Sequence, residues 1–282
     1  MQGIEQIGRK CTKKTVPTWR RFVTTYISDN SAVSQFKQDG YLLVPNLFDS
    51  EEMNYLLRIG RGDESHAVHS VVDAEGRKSK LWLASDTSQD DIYSAICRSH
   101  KLVDQMEELL EDEVYLYHYK MMVKEPRQGG AWEWHQDYGY WYNNGCLFPD
   151  MASCYIAVDR AHKHNGCLQV LRGSNRMGRI EHGKAGGQTG ADPDRVEDAQ
   201  KHLDLVYCEM APGDALFFHS NTLHRSDANL SEDPRWGFIC CYNTRHNPCR
   251  DLSGHPSYTP LTKCDDNVIK EVGFRTVAER GL

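Results

Sequence analysis

The spacing of hydrophobic positions changes at about residue 113. Upstream it is helical. Met53, Leu56 and Leu57 follow Asp49, with Glu52 three residues past it, the signature of a capped amphipathic helix. Phe36-Lys37-Gln38-Asp39-Gly40 reads as a helix end closed by glycine, and Tyr41-Leu42-Leu43-Val44 as a short strand. Ile92, Ile96, Leu102, Val103, Met106, Leu109 and Leu110 predict one helix over 89–111.

Downstream, apolar residues gather in short β-type runs at 114–123, 154–158, 168–171, 205–210, 215–219 and 236–242. Turn residues separate them: Pro126, Asn165-Gly166, Arg172-Gly173-Ser174 and Pro212-Gly213-Asp214. Short strands with this punctuation predict a sandwich or barrel. The stretch 179–204, with a helix expected over 194–202, interrupts them as a long insertion of the lid or binding-loop kind. The expected order is a helical portion to about 113, a β core over 114–245 and an extension over 246–282.

Composition narrows the class. Hydrophobic residues are 39% and charged residues 26% of the 282, which suits a folded globular chain. No apolar run approaches the ~20 residues of a membrane helix, and mean hydropathy is −0.65, so no membrane span is expected. A formal charge of −7 repels phosphate backbones and argues against nucleic acid as a partner. The 10 cysteines form no C-x-x-C pair, and with no secretory signal they read as reduced thiols of an intracellular protein. Residues 1–25 form a basic arm. Arg9, Lys10, Lys13, Lys14, Arg20 and Arg21 face only Glu5, so cytoplasmic placement is expected, with a mitochondrial transit segment as the alternative.

Two clusters carry chemistry. His135-Gln136-Asp137 puts an imidazole and a carboxylate two apart, on one face if the segment is a strand. With 13 histidines and 40 acids in the chain, that pair alone is weak. The second cluster is Leu223-His224-Arg225-Ser226, followed by Arg235 eleven residues after His224. If 222–226 and 235–242 form a hairpin, His224, Ser226 and Arg235 share a face. His135, Asp137 and His224 together make two histidines and one carboxylate, the facial set of non-heme Fe(II) oxygenases. Arg235 would hold a carboxylate through a two-pronged charge-assisted pair. His219 competes with His224, but lacks the Ser226 neighbour and the spacing to Arg235. His162, His164, His182 and His246 read as surface or loop residues.

These residues resemble the phytanoyl-CoA dioxygenase branch of the Fe(II)/2-oxoglutarate-dependent oxygenases. The likeness spans about 36–242 through Gln38-Asp39-Gly40-Tyr41, Trp134-His135-Gln136-Asp137, Asn165-Gly166-Cys167-Leu168, Pro212-Gly213-Asp214, His224-Arg225-Ser226 and Arg235. It implies a mainly β fold with flanking helices, a double-stranded β-helix (jelly roll, cupin-like) as a single domain over 26–282. It implies Fe(II) on His135, Asp137 and His224, with 2-oxoglutarate and O2 as cosubstrates and Arg235 with Ser226 on the distal carboxylate. Lys120 would be a cosubstrate or substrate contact, with Lys80 a weaker candidate. Arg172-Gly173-Ser174-Asn175 stands where the family often has Pro-Gly-Ser-His. Asp137 is retained, whereas halogenating relatives carry a small residue there, so hydroxylation is the expected reaction.

The substrate is the least determined part. Trp132, Trp134, Tyr138, Tyr140, Trp141 and Tyr142 surround His135 and Asp137, and read either as a cage for an ammonium group or as packing. Arg127, Arg172 and Arg179 are candidates for an anionic group by analogy. The expectation is a small ammonium or aminoalkylphosphonate zwitterion, with an acyl-CoA or other lipid-derived acid as the alternative. Two rivals use the same residues, a Zn(II) metalloenzyme and a jelly-roll binding module without turnover. The oligomeric state is not legible.

Overall fold

The strands of the larger of two sheets turn alternate side chains toward a helical layer and toward the smaller sheet, and the architecture follows from that. The computed structural model describes residues 30–247, 249–250 and 257–282; the basic arm over 1–25 lies outside them. Helix α1 (Asn30–Asp39) ends at Gly40 and leads into β1 (Tyr41–Val44). Helix α2 (Ser50–Arg61) opens on the expected box: the Asp49 carboxylate accepts from the Glu51 and Glu52 backbones, and Glu52 accepts from that of Asp49. Strands β2 (His69–Val72) and β3 (Lys78–Ala84) follow, within a stretch expected to be helical. Strand β2 is largely exposed and β3 buries only Ser79 and Trp82, so pairing to the sheet, more than an apolar pattern, makes them strands. The single helix expected over 89–111 is two, α3 (Ile92–Arg98) and α4 (His100–Leu110). The chain turns extended at Ser99, whose hydroxyl donates to the Ile96 carbonyl.

The core continues with β4 (Val114–Lys124), β5 (Trp132–His135), α5 (Asp137–Trp141), β6 (Met151–Ala157) and β7 (Leu168–Leu171). The insertion is a hairpin, β8 (His182–Ala185) and β9 (Gln188–Ala191), and α6 (Pro193–His202). Then come β10 (Leu205–Cys208), β11 (Ala215–His219), β12 (His224–Ser226), β13 (Arg235–Thr244) and α7 (Val268–Arg280). Seven strands form one sheet in the order β1-β11-β6-β13-β4-β3-β2, and four form a second, β10-β7-β12-β5. Their pairings are antiparallel, and from β4 to β13 the chain passes repeatedly between the two sheets, the expected jelly roll.

The large sheet is a partition. Phe217, Phe238, Cys154, Ile156 and Cys240 pack toward the helices with Leu56, Ile96 and Met106. The alternate residues, Leu216, Phe218, Tyr155, Ile239 and Met122, face the small sheet with Leu168 and Val170. That alternation is the period of two imposed by the pleat.

Two further expectations are overturned. Strands β12 and β13 are not a hairpin: β12 pairs with β5 and β7, and β13 with β4 and β6. The segment between them crosses from one sheet to the other, pinned by Asn229, whose amide donates to the Lys124 and Asp233 carbonyls. Arg235 therefore approaches from the sheet opposite His224. The cysteines are not all thiols: Cys146 and Cys249 form a disulfide across 103 positions. Spacing could not show this pair, because it is a tertiary contact between the turn after α5 and the segment after β13.

Phe217 is fully buried in the partition, whereas Leu43 on the edge strand β1 is 38% exposed. Phe217→Ala is expected to cost about 3–5 kcal/mol, and Leu43→Ala no more than about 0.5 kcal/mol. Urea denaturation of the two variants checks the contrast.

Candidate active site

Strand β5 lies against β12 with His135 directly opposite His224, and the two rings come to 4.1 Å between centroids. The strand stops there. Gln136 is still extended, and Asp137 is the first residue of α5, so the same-face argument from a continuous strand does not hold. Asp137 reaches the histidines because the chain turns a corner at Gln136. That side chain is fully buried and spends its whole amide on the corner: Nε2 donates to the Gly178 and Asn221 carbonyls, and Oε1 accepts from the Ile180 backbone.

The hydrogen bonds around the cluster leave three lone pairs facing one another. His135 Nδ1 donates to the Glu133 carbonyl at 2.7 Å, and His224 Nδ1 to the Thr222 carbonyl at 2.9 Å. A carbonyl only accepts, so Nδ1 carries the proton, and in the neutral rings both Nε2 atoms are unprotonated. Ser153 Oγ donates to Asp137 Oδ2 at 2.7 Å, while Oδ1 lies 3.8 Å from His224 Nε2. Ligand atoms of all three residues lie within 4.8 Å of one another. Burial pushes both imidazoles below the ordinary histidine range. Burial alone would raise the Asp137 carboxyl, but Lys120, His224, His135 and the Ser153 hydrogen bond bring it down to about 2. Neutral imidazoles with an ionised carboxylate are the protonation states that bind a divalent cation. Two nitrogens and one oxygen with other positions open suit Fe(II).

Behind the cluster lies a narrow pocket of about 50 Å³, and Arg235 lines it. Arg235 is 2% exposed. Its Nη1 donates to the Gly166 carbonyl at 2.8 Å, its Nε has no partner, and no acid pairs with it among the described residues. Gly166 sits at φ +77°, and a Cβ there would lie 2.1 Å from the Asp227 carbonyl oxygen, so the turn that brings its carbonyl to Arg235 requires glycine. The Tyr155 hydroxyl, also buried in this pocket, is likewise without a partner. Tyr155 has room because its neighbour is Gly237, where a Cβ would come within 2.2 Å of the ring. A buried guanidinium without a counter-ion is costly unless an anion joins it, and this pocket has the size and polarity for a carboxylate.

Ser226 completes that end. Its hydroxyl accepts from Lys124 Nζ at 2.7 Å, and Lys124 also donates to the Asp227 carbonyl. Lys124 is fully buried and sits opposite Arg235 in the β4–β13 register; burial, then the Arg235 charge, pushes its ammonium well below the usual lysine range. Neither Lys124 nor Tyr155 was picked out from the sequence. A signal existed for Lys124: His118, Lys120, Met122 and Lys124 alternate along one face of β4.

The other expected residues are placed unevenly. Lys120 lines both the narrow pocket and a wider outer chamber of about 340 Å³. Tyr140 and Trp141 wall that chamber. Tyr138 faces the protein interior and donates its hydroxyl to the Leu147 carbonyl at 2.8 Å. Lys80 is exposed on β3 and lines neither cavity. Arg127 is exposed in the turn after β4 and paired with Glu232. Arg179 lies over the Tyr142 ring at 4.3 Å and bonds Glu181, and Arg172 is exposed beside Asp204. None of these three arginines lines either cavity. His219 ends β11 outside the cluster and accepts from the Asn221 backbone, and burial pushes its imidazole down to about 4. His182 is no idle loop residue: its Nε2 accepts from the Gln136 backbone at 3.0 Å, and its ring stands edge-on to Tyr140 at 5.2 Å.

Fold and site together describe a jelly roll with a two-histidine, one-carboxylate cluster beside an anion-sized pocket. The sequence profile of the phytanoyl-CoA dioxygenase (PhyH) family matches residues 36–237, and the chain belongs to that family. It is similar to an L-proline trans-4-hydroxylase of Streptomyces griseoviridis, with 26% identity over 254 residues covering 83% of this chain and 91% of that one. It is similar to an ectoine dioxygenase of Halomonas elongata, 25% identical over 76% of this chain and 69% of that one. The solved structure of EctD from S. alaskensis with 2-oxoglutarate and 5-hydroxyectoine shares the fold, with a TM-score of 0.71 at 19% identity, covering 88% of this chain and 90% of that one.

Asp137→Ala is expected to abolish stoichiometric Fe(II) binding. Ser153→Ala, which only frees the carboxylate to turn, is expected to weaken it by about 10–100-fold. Anaerobic calorimetric titration of Fe(II) into each purified variant checks both.

Proposed function

We propose that the chain uses this site as an Fe(II)- and 2-oxoglutarate-dependent dioxygenase that hydroxylates a small zwitterionic compound. The observation that carries the reading is the buried Arg235 guanidinium, with no acid partner among the described residues, facing the same narrow pocket as His135, Asp137 and His224. A zinc hydrolase needs the three ligands but has no use for a buried cation awaiting an anion. A binding module needs neither the ligand protonation states nor their arrangement.

His135 Nε2, His224 Nε2 and Asp137 Oδ1 would hold the metal, the imidazoles oriented by the hydrogen bonds their Nδ1 atoms donate and the carboxylate by the one its Oδ2 accepts from Ser153. Fe(II), when bound, supplies the chemistry that couples oxidative decarboxylation of 2-oxoglutarate to hydroxylation, with one atom of O2 ending in succinate and the other in the product. The chain's own part is positioning. Arg235, Ser226 and the Tyr155 hydroxyl take the distal carboxylate, with Lys124 locking Ser226 in place. Phe218, Leu168, Met122 and Ile239 keep water from the pocket. The substrate enters from the outer chamber, where Tyr140, Trp141 and Trp132 form the walls.

The zwitterion reading draws on the relatives, whose names give proline and ectoine as what they act on. Both are compact molecules carrying an acid and a nitrogen group. The acyl-CoA alternative would want a basic surface for a pyrophosphate, yet Arg127, Arg172 and Arg179 do not gather at the chamber mouth.

Adding Fe(II) and then 2-oxoglutarate to the protein without oxygen is expected to raise the weak visible charge-transfer band of the chelate, and His224→Ala to remove it. Arg235→Ala is expected to raise the 2-oxoglutarate concentration needed by about 30-fold or more, as for truncation of one partner of a buried charge pair. An unchanged requirement would remove Arg235 from this role.

A further inference from the structure

We propose that Lys120 is the residue that selects the substrate, and that the group it recognises is a carboxylate. The inference rests on the dioxygenase reading of the site and goes on to the chemical class of its second ligand.

The inward face of β4 carries His118, Lys120, Met122 and Lys124 in sequence. Lys124, at the deep end, is fully engaged with Ser226 and Asp227. Lys120 is different. It is half-buried, and among the described residues its ammonium has no hydrogen bond and no acid within ion-pair distance. It stands where the two cavities meet, lining both, together with His135, Asp137 and Trp132. An anion resting on Lys120 from the outer side lies next to the metal-ligating cluster, where a reacting carbon has to be.

The rest of the chamber says what that anion belongs to. Among the described residues its only carboxylate is Asp137, which the ligand set uses, so no acid is left to meet a substrate ammonium directly. A bare cation entering the chamber would face the like charge of Lys120. The second donor at the junction is the Trp132 indole Nε1, which is buried and has no partner. Lys120 and Trp132 thus bring two donors to the junction of the cavities, while Tyr140 and Trp141 line the chamber with aromatic rings for the body of the molecule. A nitrogen carried on that body can lie over an aromatic face. A chamber of about 340 Å³ suits a compound of amino-acid size and is small for a CoA thioester. The substrate is therefore a small amino or imino acid, recognised acid end first.

The test separates Lys120 from Arg235 and the acid from its isostere. Wild type, Lys120→Met and Lys120→Arg are loaded with Fe(II), and their 2-oxoglutarate affinity is read anaerobically from the chelate band. Succinate formation is then measured with L-proline, L-pipecolic acid and ectoine. L-prolinamide and L-pipecolinamide, which keep the ring and the nitrogen but lack the carboxylate, are assayed beside them. At least one acid is expected to stimulate turnover and yield a product heavier by one oxygen, with its amide inert. Lys120→Met is expected to raise the half-stimulating acid concentration by about 30-fold or more while leaving 2-oxoglutarate affinity within about 3-fold, and Lys120→Arg to recover part of the loss. The proposal is overturned if the amides serve as well as the acids, if none of the acids stimulates turnover, or if Lys120→Met weakens 2-oxoglutarate as much as Arg235→Ala does. Failure of wild type to form the chelate band at all would instead remove the dioxygenase reading beneath it.

Discussion

The pairing of β12 with β5 is the contact on which the site depends. It sets His224 against His135 across the ladder, and each imidazole is fixed by a hydrogen bond from Nδ1 to a carbonyl two residues upstream. Because those carbonyls belong to the backbone of the same segments, the tautomers are set by backbone geometry. The third member needs a corner instead of a strand, and the buried Gln136 amide supplies it through three hydrogen bonds to two other segments. The result is two neutral bases and one anion held close together in a dry place, an arrangement whose lone pairs are satisfied only by a cation.

The opposite sheet contributes charge of the other sign. Arg235 and Lys124 sit side by side on β13 and β4, both fully out of water. Two adjacent buried basic groups oppose folding unless something offsets them. Lys124 is offset by Ser226 and two carbonyls, and Arg235 only in part, by Gly166. The remaining demand for an anion is built into the fold, and it lies across the pocket from the demand for a cation. A divalent cation would meet the latter demand, and a dicarboxylate reaching from that cation to Arg235 would meet the former, so the pocket reads as a cosubstrate site.

The periphery tightens the same region. The β8–β9 hairpin presents His182 to the Gln136 backbone and the Thr189 carbonyl to the Tyr140 hydroxyl, so the insertion braces α5 from outside. The Cys146–Cys249 disulfide ties the turn after α5 to the segment that follows β13. Tyr138 and Trp141 lie within this braced unit, and of the two only Trp141 reaches the chamber. Proximity in sequence to His135 thus overstated how many aromatics meet a ligand.

Local chemistry was legible along the chain. The capping box at Asp49, the glycine stop at Gly40, six of the core strands and a sandwich or barrel class all follow from propensity, turn residues and period, which act over a few neighbours, while the jelly roll itself was what the family resemblance implied. The types and spacing of His135, Asp137, His224 and Arg235 pointed to one site even though two of the local pictures behind them, a continuous strand through Asp137 and a hairpin joining His224 to Arg235, were wrong. Only the tertiary structure decided the rest. It made strands of 69–72 and 78–84 by giving them a partner edge, and it joined Cys146 to Cys249 over 103 positions. It set Lys124 beside Arg235 and, among the described residues, left Lys120 without an ion pair at the junction of two cavities. Burial and the absence of a counter-ion are relations between distant segments, and no local pattern of residues encodes them.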